Sequence, residues 1–201
     1  MKLSAGIQRM LPFGYLFLVV MGILKESVFF YQVGINILKY STVMDILISP
    51  IATLTAHPLV FIAVIIVILF SYGFPKLLAN QSHKKWAQRM SSIKNSEELS
   101  EAEIESHYTN IFIKLFAFTL LSFFLGIGLG GGFGLKNKIM NDKLKYNYKL
   151  NYASGESEQI YLISSNSVYY FYLSQGNKSV KIAPIGAVKS LELTNNKMLN
   201  D

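Results

Sequence analysis

The residues with types and spacing that can do chemistry are few, and the most conspicuous set is glycine. Gly126-Ile-Gly128-Leu-Gly130-Gly131 satisfies G-x-G-x-x-G, the pattern that lets backbone amides approach a dinucleotide pyrophosphate. That chemistry needs a strand before the glycines and a helix opening at them. Here they close the long uncharged run 115–135, so the match is read as incidental. His57, His83 and His107 have no metal-ligand spacing, and no H-E-x-x-H, G-x-S-x-G or Walker pattern occurs. The absence of cysteine removes disulfides, thiolate metal sites and thiol nucleophiles. The sequence therefore predicts a non-enzymatic protein with no metal and no cofactor.

A second set consists of ionisable residues inside or beside apolar stretches: Glu26, Asp45, His57 and Lys114. Ionisable groups at membrane depth are costly and mark ion paths, proton relays or paired structural contacts. These four are the candidates for a transport role, although each lies within a turn or two of a span end, where snorkelling removes most of the cost. Lys25 is expected to snorkel in this way.

The elements that must position these residues follow from hydropathy. Residues 115–135 are long enough to cross the ~30 Å hydrocarbon layer at ~1.5 Å rise per residue. Their glycines recur at spacings of four, Gly126/Gly130/Gly134 and Gly128/Gly132, leaving a face where another backbone can approach. We read three spans, at about residues 10–32, 48–74 and 110–135, within a transmembrane helical domain covering residues 1–135. The first is an uncleaved signal anchor, because Lys2 and Arg9 precede the apolar stretch and no small-residue cleavage site follows. Residues 33–45 are too polar to span and too apolar for a free loop, which places them in the interface or against other helices. Pro50 and Pro58 predict a broken segment or, more simply, a second span that opens at Pro58.

The charged helical loop 75–107 changes sign along its length. Lys84, Lys85, Trp86 and Arg89 suit a helix resting on lipid headgroups, and Ser100-Glu101-Ala102-Glu103 is a capping box that starts the third helix near Glu101. Basic residues outnumber acidic ones 19 to 12, but they flank the apolar spans, so the partner they point to is the bilayer and not nucleic acid. Their distribution narrowly favours the N-terminus and the charged loop inside and the C-terminus outside. A four-span arrangement in which residues 27–45 cross back is the alternative.

From residue 144 the pattern changes to period-two alternation broken by turn residues. Five short strands are expected in a soluble β-rich module at 144–195, as an SH3-like or partly open barrel. The aromatic run Tyr169–Tyr172 is expected to serve as core and cross-strand pairing. The fold class expected is thus an α-helical integral membrane protein with a small C-terminal all-β module. Usage rich in Lys, Asn, Ile and Tyr points to a bacterial source, hence a multi-pass protein of the inner membrane. Three functions lead for this layout: an oligomer or partner complex held by the glycine face, with the β module sensing or docking; an ion channel or small transporter; and an immunity or accessory factor that binds one membrane protein. A membrane enzyme ranks fourth for want of a catalytic constellation.

Overall fold

The computed structural model describes residues 5–56, 58–79 and 101–194. Among these residues four helices precede a sheet: α1 (Ala5–Tyr31), α2 (Val43–Ala56), α3 (Pro58–Ala79) and α4 (Glu101–Met140), with a 3-10 turn at Ile37–Lys39. Among the described residues two helical stretches are long and apolar enough to cross a membrane, Leu11–Tyr31 in α1 and Ser106–Met140 in α4. Val43–Ala56 and Pro58–Phe70 pass the same test only as a bent pair.

Several helix boundaries differ from expectation for identifiable reasons. The stretch 48–74 is divided into α2 and α3, and α3 opens on Pro58 as expected, where the missing N–H needs no partner. Pro50 lies inside α2 without ending it. A proline at position 50 withholds the helical donor from the Ile46 carbonyl. Gly22 of α1 stands against that oxygen, so closely that a Cβ there would lie 2.0 Å from it. The Cα–H of Gly22 thus faces the orphaned acceptor, a weak but favourable contact. The glycines of α4 were expected to finish the helix, but it continues five residues past Leu135 to Met140. It stops in a Schellman arrangement: Lys143 N–H donates to the Lys138 carbonyl at 2.9 Å, Asp142 N–H to Ile139 at 3.4 Å, and Asp142 adopts φ 52°.

Five antiparallel strands follow among the described residues: β1 (Tyr148–Tyr152), β2 (Ser157–Ser165), β3 (Tyr169–Ser174), β4 (Val180–Pro184) and β5 (Val188–Leu193). They form one open sheet in the order β4-β3-β2-β1-β5, so β1–β4 make a meander and β5 returns to pair with β1. A 3-10 turn, Ile185–Ala187, carries the chain from β4 to β5. Gly155 and Gly176 supply the positive φ needed by the tight turns after β1 and β3.

Contacts divide the chain into two compact units, one made of the residues up to Pro50 and those from Phe124 on, the other of Ile51–Phe123. In the second unit Ile104, Tyr108 and Phe112 of α4 pack with Phe74 of α3, the Phe74 and Phe112 rings lying 5.3 Å apart. In the first unit the sheet buries both faces, as strand alternation allows. Leu150, Ile160, Tyr172 and Ala183 form one cluster, while Phe171 joins Phe30 and Ile37 in another, with Ile163, Tyr169 and Ile182 around it. This explains why β3 is buried from Phe171 through Ser174: it lies between the sheet's own core and α1.

Candidate functional site

Side chains among the described residues form three constellations with geometry beyond simple packing, each in the unit that contains the sheet. The first is within α1 and α2. Lys25 Nζ lies 2.7 Å from Glu26 Oε1 and donates to Ser49 Oγ at 2.9 Å, and Ser49 in turn donates to the same Glu26 oxygen. The Lys25 and Glu26 side chains are only 15% and 17% exposed. Lys25 therefore turns inward to a carboxylate instead of snorkelling. One turn earlier, the contact of Gly22 with Ile46 brings the two backbones together, and this places Ser49 within reach.

Two glycines of α4 complete the surroundings. A Cβ at Gly128 would stand 2.5 Å from the Lys25 carbonyl oxygen, and one at Gly132 would stand 2.6 Å from that of Phe29. Four residues on α4 match four on α1 in the same direction, so these helices run parallel at contact. Among the described residues nothing lies within 4 Å of the position a Cβ would take at Gly126, Gly130 or Gly134. The glycine-rich run is thus two faces, one filled by α1 and one open.

The second constellation joins the sheet to the segment after α1. Thr42 and Asp45 form a capping box at the start of α2: Thr42 N–H donates to Asp45 Oδ2 at 2.9 Å and Asp45 N–H to Thr42 Oγ1 at 3.2 Å. The same carboxylate receives Ser167 N–H at 3.0 Å and Ser167 Oγ at 3.1 Å from the β2–β3 turn. Asn166 closes that turn, accepting the Val168 and Tyr169 amides on Oδ1, and donates Nδ2 to the Tyr40 carbonyl at 2.9 Å. Beneath these bonds Phe30 meets Phe171 with ring centroids 5.1 Å apart, and Tyr40 meets Tyr169 at 5.7 Å.

The third lies on the other face of the sheet around Glu158. Ser174 Oγ donates to its Oε2 at 2.6 Å and Lys181 Nζ at 2.9 Å, while Tyr152 donates to Oε1 and shares a hydrogen bond with Tyr172. Burial by itself raises the Glu158 pKa, but the hydrogen bonds from Ser174, Tyr152 and Lys181 outweigh it and hold the carboxyl at about 2. Burial and the adjacent carboxylate push Tyr152 well above the ordinary phenol range, and burial also raises Tyr172. The hydrogen bond to Glu158 raises Lys181. Such a carboxylate is saturated with donors and stays ionised; it is built to hold strands together and not to accept a proton.

Of the residues singled out in the sequence, Glu26 and Asp45 fall into separate clusters, and Lys114 is exposed on α4. His57, Lys84, Lys85, Trp86 and Arg89 lie outside the described residues. The sequence reading missed Ser49, Asn166, Ser167 and Glu158. For Asp45 a local signal existed in Thr42-x-x-Asp45, the same capping pattern recognised at Ser100. Among the described residues no group of three or more His, Cys, Asp or Glu is placed to hold a metal ion.

No protein-family model matches this chain, and no curated protein and no solved structure matches it.

Proposed function

We propose that this is a non-enzymatic, multi-pass membrane protein that crosses the bilayer three times and holds its β module rigidly at the membrane surface as a sensing or docking part. The observation that carries the reading is the double attachment of the sheet to the end of α1. Apolar contact of Phe30 and Ile37 with Phe171 is reinforced by the hydrogen bonds of Asp45, Asn166 and Ser167. A module tethered only to spare the chain would not need a second attachment 122 residues away in sequence. The meander order with a returning fifth strand, and the 3-10 turn before that strand, favour an SH3-like arrangement.

The direction of the helices supports three crossings. α1 and the glycine-rich part of α4 run parallel, so the chain between them returns across the bilayer an odd number of times. In this reading the bent α2–α3 pair supplies that return as one broken span, and residues 32–42, with only a 3-10 turn, add no crossing.

Self-association or a membrane partner is accommodated on the open face Gly126/Gly130/Gly134, since Gly128 and Gly132 are occupied by α1. The test is the mass of the detergent-solubilised particle. Gly126→Leu with Gly130→Leu is expected to reduce it to that of one chain, and an unchanged oligomer mass, or a wild type already monomeric, sinks self-assembly through this face. A second reading, a small channel or transporter, is favoured by one observation: the paired Lys25–Glu26 charges sit about 9 Å before the end of α1's apolar stretch at Tyr31. In that reading Ser49 and the ion pair form a polar step on an ion or proton path.

A further inference from the structure

The last turn and a half of α1 and the turn that follows it enclose a cleft of about 390 Å³, lined by Ser27, Tyr31, Gly34, Ile35, Asn36 and Ile37. Its volume lies at the lower end of the range for small-ligand sites, ~300–1,000 Å³. The Ser27 hydroxyl is buried and has no hydrogen-bond partner, the only buried side-chain polar atom left so among the described residues. A buried orphan hydroxyl is destabilising unless a partner arrives from outside the protein. Gly34, at φ +78°, turns the chain back and keeps the mouth free of a side chain. The Tyr31 side chain, 80% exposed, borders the same opening.

From this geometry we infer that the cleft is a binding site for one glycerophospholipid, with its ester and phosphodiester oxygens at Ser27 and Asn36 and an acyl chain along Tyr31 and Ile35. The inference rests on the reading that α1 crosses the bilayer, because Tyr31 then lies where the apolar stretch ends and Ser27 about 6 Å deeper, the level of the glycerol backbone and upper acyl chain. The lining offers a hydroxyl, an amide, a phenol and backbone, and no ionised group. It matches the neutral and singly charged oxygens that all glycerophospholipids share, and it does not select headgroup charge. Tyrosine at this depth is suited to the task, with an apolar ring and a polar tip.

The test uses the full chain reconstituted into vesicles of equal phosphatidylcholine and phosphatidylglycerol, re-extracted in mild detergent and weighed by native mass spectrometry. Wild type is expected to retain one phospholipid per chain, drawn from the two lipids in near-equal amounts. Ser27→Leu, which fills the cleft, and Tyr31→Ala, which removes an exposed wall without touching a core, are each expected to lower retention at least fivefold. Retention by both variants equal to wild type, no retained lipid at all, or retention of phosphatidylglycerol alone would overturn the proposal, the last because it assigns the lipid to the lysines after α4. Protein that leaves the membrane without detergent would overturn the membrane reading itself, an outcome distinct from detergent-dependent protein that carries no lipid.

Discussion

Glu158 shows how a single residue converts a network of hydrogen bonds into a pH dependence. Its carboxyl is held at about 2 against an ordinary 4.5, so the folded state binds a proton less readily than the unfolded chain. The contribution is fully present above about pH 4.5 and is lost as pH falls through 2. Allowing for screening around the partly exposed Lys181 amine, its size is on the order of 2 kcal/mol. Acid titration of the sheet's tyrosine fluorescence is expected to show little change between pH 8 and 5 and progressive loss of structure below 4.5. Glu158→Gln is expected to flatten that acid limb while lowering stability at neutral pH, because Lys181 and Tyr152 lose an ionised acceptor. An acid limb of wild-type steepness in Glu158→Gln would assign the transition to another group. Nothing in the sequence around Glu158 announces this role. It occupies one position in the alternation of β2, and only the pairing of β2 with β3 brings Ser174 and Tyr172 alongside it, while Lys181 arrives from β4.

At the scale of elements, the glycines of α4 and α1 divide by neighbour and not by sequence. Gly128, Gly132 and Gly22 each face a backbone carbonyl closer than any side chain permits, whereas Gly126 and Gly130 face open space. Alanine is therefore expected to act with opposite sign at the two sets. Gly128→Ala and Gly132→Ala force α1 and α4 apart and cost about 1–3 kcal/mol each, as overpacking does. Gly126→Ala and Gly130→Ala are neutral or stabilising by up to ~1 kcal/mol, since alanine favours the helix. Thermal unfolding of the four variants in one detergent checks the division, and equal shifts at all four would contradict it. Spacings of four in the sequence revealed that small faces exist, and the alternation after residue 144 revealed the strands, because both signals are local. The partner of each face is not local: Lys25 and Phe29 lie about a hundred residues from Gly128 and Gly132, and no periodicity connects them. The same limit hid Ser49, whose value lies in standing opposite Lys25.

For the whole molecule, the parallel contact of α1 with α4 and the attachment of the sheet to residues 30–45 constrain topology together. The end of α1, the segment Gln32–Thr42, the start of α2 and the β module share one side in the three-crossing reading, and the N-terminus and the start of α4 share the other. The four-crossing alternative places both termini together and would run α1 and α4 antiparallel, whereas Gly128 meets Lys25 and Gly132 meets Phe29 in the parallel sense and residues 27–31 already belong to α1. Because the chain lacks cysteine, single substitutions report sidedness without background. Asn36→Cys and Asn177→Cys, both at exposed positions, are expected to react with a membrane-impermeant maleimide from the same face of sealed vesicles. Ser106→Cys, exposed at the start of the apolar part of α4, is expected to react only from the opposite face. If positions 36 and 106 label from one face, the α2–α3 pair does not return the chain, and the parallel packing of Gly128 on Lys25 cannot exist in the bilayer. If 36 and 177 label from opposite faces, the sheet is not seated on α1, and the sensing or docking role proposed for it loses its structural basis.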